Sequence, residues 1–203
     1  YFLFTLTQAQ LAQALFPIGH LHKTEVRAYA RNRGLTVADK PDSQELCFVV
    51  DGNPARFVEE RVPSVARSGP IRDQHGHQVG RHDGVHRFTV GQRKGLGLST
   101  SVPLYVLAID AAENAVTVGA RQALERTRLT ASSVNWISGT PPTSLCSVTA
   151  RIRHRHLDAP ATVEPLREQR VAVVFEEPQS AVAPGQAVVF YDGDTVLGGG
   201  WID

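Results

Sequence analysis

The feature that most constrains this chain is a train of short runs of alternating apolar and polar residues beginning near Gly69, each closed by turn residues. "GPIRD" and "QVGRHDG" flank the turn signal "QHGH", and "VHRFTV", "PLYVLAID" and "AVTVG" follow, with "AAEN" between the last two. The texture continues through "LTASSVNWI", "CSVTARIRH", "ATVEPL", "VAVVFEE", "QAVVFYDG" and "TVLGGGWI". Period-two alternation puts successive side chains on opposite faces of a strand. Many short strands with frequent turns predict a small barrel or a Greek-key sandwich.

The first 50 residues read differently. Thr7 is a plausible N-cap for a helix over "QAQLAQALF", with Leu11 and Leu15 at helical spacing, before Pro17 and Gly19 break it. "HKTEVRAYARNRG" predicts a second helix, with Val26, Tyr29 and Ala30 as its apolar stripe and Gly34 at its stop. Asn53 and Pro54 open a short third helix in "NPARFVEERV". The expected class is α+β, mainly β: a helical segment over 1–50, a small central β-rich domain over 51–127 and a C-terminal antiparallel β-barrel over 128–203.

Hydrophobic residues make up 42% of the 203 and charged residues 20%, which suits a soluble domain with a packed core. No apolar run approaches the length of a membrane-spanning helix, and "YFLF" has no basic region before it, so no signal peptide is read. Two cysteines in so long a chain fit a reducing cytoplasm better than a disulfide scaffold. With a net charge of +1, affinity for nucleic acid has to come from local patches. Methionine is absent and the chain opens inside an apolar segment, so the sequence reads as a piece of a longer protein.

Cys47 lies in "ADKPDSQELCFVVDG". As a lone cysteine before Phe48-Val49-Val50 it reads as a small apolar residue at the start of a buried strand. Against that, Asp42 or Ser43 can cap a helical turn, which would favour the thiolate, while Asp42 and Glu45 oppose it by their charge. Local sequence leaves both readings open. Cys146 alternates with polar residues and reads as a strand residue. The eight histidines show no metal-ligand spacing, and no metal is expected.

Two basic segments suit phosphate. "GQRKGLGL" sets Arg93 and Lys94 between glycines on an expected loop, although the spacing is not that of a P-loop. In "RIRHRH", a strand would put Arg151, Arg153 and Arg155 on one face, with Ile152, His154 and His156 on the other. Such a face could meet an RNA backbone or simply face solvent.

Taken in order, "YFLFTLTQAQL", "LFPIGHLHKTEVRAYARNRGL", "ADKPDSQELCFV", "HDGVHRFTVGQRKGLGL", "PLYVLAID", "VNWI", "RIRHRH", "PGQAVVFYDG" and "VLGGGWI" resemble the bacterial tRNA-specific 2-thiouridylases over essentially the whole chain. The resemblance implies that 1–50 is the end of a nucleotide-binding α/β domain and that both β domains bind tRNA. It implies sulfur transfer to the C2 position of the tRNA wobble uridine, activated by ATP, with Cys47 carrying a persulfide and later forming a disulfide with a partner cysteine. That cysteine and the ATP-binding loop would lie before Tyr1, so this segment by itself is expected to be inactive. Implied partners are tRNA and a cysteine desulfurase or sulfur-relay protein, in the cytoplasm and not at a membrane. Arg153, His154 and Gln186 match tRNA-contacting positions. His154 stands where the family usually has tyrosine, keeping a ring that can stack on a base. Arg93 and Lys94 are added from loop chemistry. Rival readings are a non-catalytic RNA-binding module with a structural cysteine, and a cysteine hydrolase.

Overall fold

The computed structural model describes residues 1–41, 48–49, 52–154 and 156–203. Among the described residues three short helices, α1 (Gln8–Leu11), α2 (Lys23–Asn32) and α3 (Pro54–Arg61), precede ten strands. The strands are β1 (Gly69–Arg72), β2 (Gln78–His82), β3 (Tyr105–Asp110), β4 (Ala115–Gly119), β5 (Glu125–Trp136), β6 (Cys146–Arg151), β7 (Ala159–Pro165), β8 (Val171–Ser180), β9 (Ala187–Asp192) and β10 (Thr195–Ile202). Two compact units result, one comprising Ala12–Pro63 and the other Tyr1–Leu11 with Ser64–Asp203.

Within Ala12–Pro63, α2 carries a reciprocal cap. The His22 side chain accepts from the N–H of the third helical residue, and the Glu25 carboxylate accepts from the His22 N–H at 2.7 Å. Gly34, at φ +67°, takes the left-handed conformation that ends the helix. α3 starts where Asn53 Oδ1 accepts from the Arg56 N–H at 3.1 Å, with Pro54 behind it. α1 is one turn long, and Leu15 is 89% exposed, so the expected helix through Leu15 does not form. With Pro17 and Gly19 so close, too few residues remain to repay helix nucleation.

In the larger unit, β6 to β10 and β5 close a six-stranded barrel in the order β10-β5-β8-β7-β6-β9, every pairing antiparallel. Alternate residues point inward: Val148, Ala150 and Ile152 from one segment, Val171, Val173 and Phe175 from another. β9 is apolar on both faces. Val188 and Phe190 enter the barrel core, while Ala187, Val189 and Tyr191 face outward under Phe4. Residues 1–6 form a strap over that outer face. Asn135 Nδ2 donates to the carbonyls of Phe4 (2.7 Å) and Leu6 (3.0 Å), and the Tyr1 hydroxyl donates to the Ala187 carbonyl at 2.7 Å. A Cβ at Gly199 would lie 2.6 Å from the Val188 carbonyl and 2.7 Å from the Phe4 ring, so glycine is required where strap and sheet meet.

β1 to β4 form a smaller mixed sheet, β2-β1-β4-β3, with β1 and β4 parallel. Its core is Ile71, Leu96, Val106, Val116 and Val118. The strand expected at "VHRFTV" is instead a 3-10 turn, Val85–Arg87. Here the buried His82 ring accepts the Gly84 N–H at 3.0 Å, and Val85 and Phe88 turn into the core. Among the described residues no helix is long and apolar enough to cross a membrane.

Candidate nucleic-acid interface

The alternation in "RIRHRH" is interrupted in the structure. β6 ends at Arg151, Ile152 is buried, and the chain then bends, closed by a hydrogen bond from the His156 N–H to the Arg153 carbonyl at 3.1 Å. The three-arginine strand face therefore does not form, and His154 is exposed instead of inward. Arg155 lies outside the described residues. Arg151 is committed to the fold. Its Nε donates to Asp158 at 2.6 Å and its guanidinium lies 5.2 Å from the centre of the Tyr191 ring.

Arg153 keeps an exposed guanidinium, tethered by a bond from Nη2 to the Ser180 carbonyl at 3.3 Å. The His154 ring lies 5.0 Å from Phe2 at an interplanar angle of 32°, and 6.0 Å from Tyr1. Tyr1 in turn bonds Ala187, the residue after Gln186. The β6–β9 register, in which Thr149, Ala150 and Arg151 face Tyr191, Phe190 and Val189, runs toward the same place. Arg153, His154 and Gln186 thus gather at one end of the barrel. Gln186 is held by its backbone, which accepts from the Ile202 N–H and donates to Ala183, leaving its side chain exposed.

Sequence reasoning alone misses Tyr1 and Phe2. The adjacent aromatics of "YF" are the only signal, and only the strap over β9 brings them to His154. Phe2 is 69% exposed, so the Phe2–His154 pair offers ring surface to solvent. Burial pushes the Tyr1 hydroxyl above its ordinary pKa, keeping it protonated and a donor to Ala187.

Arg93 and Lys94 lie on the loop leading into β3, both exposed. Gly91 N–H donates to Val106, Val106 N–H donates to Gln92, and the Gln92 amide accepts from Thr89 and donates to Lys94. A Cβ on Gly91 would meet that of Ala181 at 2.7 Å, which brings this loop against the turn after Ser180. All five expected tRNA-binding residues are therefore carried by segments that converge on 180–187.

Cys47 and the Asp42-Ser43-Gln44 motif lie outside the described residues. The segment's flanks are anchored: Ala38 and Val49 are buried, and Asp39 pairs with Arg31 at 2.6 Å. Phe48 packs on Phe57 at 5.2 Å and lies in a turn rather than in the expected strand. Cys146 opens β6, its thiol directed at the Val163 carbonyl at 3.6 Å, and burial pushes its pKa up. A thiol held protonated in this way is a poor nucleophile. Among the described residues no group of three or more His, Cys, Asp and Glu side chains is placed to hold a metal ion.

Comparison with known proteins assigns the three segments in order. Residues 1–51 match the tRNA methyl transferase HUP domain, 55–120 the tRNA methyl transferase PRC-barrel domain, and 126–202 the aminomethyltransferase beta-barrel domain. Over its whole length the chain is 54% identical to tRNA-specific 2-thiouridylase MnmA of Geotalea uraniireducens, covering 54% of that protein. It is 50% identical to the proteins of the same name from Syntrophotalea carbinolica and Symbiobacterium thermophilum, covering 57% and 52% of them. The chain spans about half the length of these relatives. With matches that run end to end and follow the family's domain order, the chain belongs to the tRNA-specific 2-thiouridylase family.

Proposed function

We propose that this chain is part of an enzyme that replaces the C2 oxygen of a tRNA wobble uridine with sulfur, using Cys47 as persulfide carrier. The observation that carries the reading is the unbroken similarity to proteins named tRNA-specific 2-thiouridylase. The convergence of Arg153, His154, Gln186 and the Arg93-Lys94 loop at 180–187 supports a surface for the RNA.

The chemistry suits a persulfide. Its terminal sulfur is a soft, strong nucleophile that bonds to C2 as the activated oxygen leaves. A second thiol then attacks the Cys47 sulfur and the sulfur–sulfur bond breaks, its electron pair staying on the 2-thio group. The protein is left with a disulfide, which a thiol reductant opens before a desulfurase or relay protein reloads Cys47. Cys146, raised in pKa by burial at the start of β6, is unsuited to be the second thiol.

ATP is the activating reagent that the resemblance implies, but the described residues do not fit it. The first turns of α2 and α3 are capped by the chain's own side chains, His22 with Glu25 and Asn53 respectively, and Pro54 brings no N–H, so each helix has fewer donors left for phosphate. We therefore assign nucleotide binding to the part of the protein that the relatives have beyond this chain's span.

The descriptions of two matching domains name a second chemistry, methyl transfer. Nucleoside analysis of tRNA from cells lacking the protein separates the two. Loss of 2-thiouridine is expected; intact 2-thiouridine with a missing methyl group would overturn the proposal.

A further inference from the structure

Beside the barrel end, the loop after Gly91 encloses an open groove of about 610 Å³, lined by Arg93 and residues 95–104. Its frame is held from within. The Gln92 side chain bridges Thr89 and Lys94, residues 91 and 92 pair with Val106, and Leu96 is buried in the core of the small sheet. Between these anchors Gly95 (φ +73°) and Gly97 (φ +68°) take left-handed conformations. A Cβ on Gly97 would meet nothing within 4 Å, so the backbone there is open to close approach. The exposed hydroxyls of Ser99, Thr100 and Ser101 line the same groove.

The charges on this frame have no internal use. Arg31, Arg151 and Arg170 are each held by a carboxylate, of Asp39, Asp158 and Asp203 respectively. Among the described residues, the Arg93 and Lys94 side chains have no ion pair or hydrogen bond. Two adjacent unneutralised cations on a rigid loop, beside hydroxyls and open backbone, form a ready receptor for a phosphate group. Among the described residues no aromatic side chain lines the groove, so the base of a free nucleotide would find no ring there to stack on. A phosphate of an RNA backbone needs none. The approach of Gly91 to Ala181 brings the loop beside the segment whose Ser180 carbonyl holds Arg153.

We infer that the loop over 91–104 is a built phosphate-binding cradle, holding a backbone phosphate of the tRNA through Arg93, Lys94 and the neighbouring hydroxyls. The inference rests on tRNA being the substrate and extends its footprint from the barrel end onto the small sheet.

The test is tRNA binding by the full-length protein over a salt series, comparing wild type with the Arg93→Gln, Lys94→Gln double variant. Affinity should fall on the order of tenfold at physiological salt, and the slope of log K against log salt should flatten by about one for each phosphate no longer held. The thermal midpoint should not move, since neither side chain has a partner among the described residues. Unchanged affinity and slope would overturn the cradle. Titration of the tRNA-free protein with inorganic phosphate or ATP provides the second arm. Saturable binding that the double variant loses would assign the groove to a free anion and overturn the RNA assignment. A full-length protein that makes no 2-thiouridine would sink the proposed function while leaving the salt-slope result to judge the cradle separately.

Discussion

Arg151 and Arg153 stand two apart in one basic run, and the fold uses them differently. Arg151 is half-buried in its pair with Asp158, whereas Arg153 is exposed and, among the described residues, bonds the Ser180 carbonyl. Sequence makes them equivalent, because the bend after Arg151 and the return of Asp158 are tertiary facts. Arg153→Ala should weaken tRNA binding and flatten its salt dependence with little change in melting temperature, whereas Arg151→Ala should cost about 1 kcal/mol of stability. Binding and melting curves on the two variants check the contrast. For His154, replacement by alanine removes a stacking ring and should cost about 1–3 kcal/mol of RNA affinity, whereas His154→Tyr should retain it. Asp203 gives a pH test. Arg170, Thr130 and Ser132 hold its carboxyl at about 2, below its ordinary value. A carboxylate depressed on folding stabilises the native state above its unfolded pKa, and that contribution disappears as pH falls through the folded value. The melting difference between wild type and Asp203→Asn should therefore be present at neutral pH, shrink as pH falls below the ordinary carboxylate value and vanish only below about pH 2.

At the scale of elements, strand positions are largely legible because period-two alternation and glycine-rich turns report local backbone geometry directly. The barrel strands all occur, although β8 runs longer than "VAVVFEE" and β6 stops before "IRH". Partnership is not legible. "QAVVFY" reads as a strand, but its unbroken apolar run arises because β9 is covered on both faces, inside by the barrel core and outside by the strap. "VHRFTV" departs from its expected strand for a related reason, since the His82 ring captures the Gly84 N–H and nucleates a turn that no periodicity reveals. Phe4 is buried between the barrel and Trp201, whose ring lies 5.7 Å away edge-on. Phe4→Ala in the full-length protein should cost roughly 3–5 kcal/mol by leaving a cavity. Denaturant unfolding measures that loss, and amide exchange at Leu6 should rise as the strap loosens.

At the scale of the whole molecule, the family is legible from ordered motifs, while the gathering of Arg153, His154, Gln186 and the Arg93 loop requires three-dimensional closure of the barrel. Sequence cannot add Tyr1 and Phe2, since nothing local tells an aromatic strap from an ordinary helix start. The proposed RNA surface built from these groups calls for sulfur chemistry at the RNA, for which Cys47 is the proposed carrier. Asp42 and Glu45 lie close to Cys47 in sequence, where their charges would disfavour a thiolate, so the proposal calls for compensating cations or helix termini elsewhere in the full-length protein. The most direct measurement is 2-thiouridine formation on tRNA by the full-length protein and its Cys47→Ser variant, read by nucleoside mass spectrometry alongside tRNA affinity. Thiolation should be lost in the variant with affinity unchanged; a Cys47→Ser protein that still thiolates tRNA would contradict the assignment.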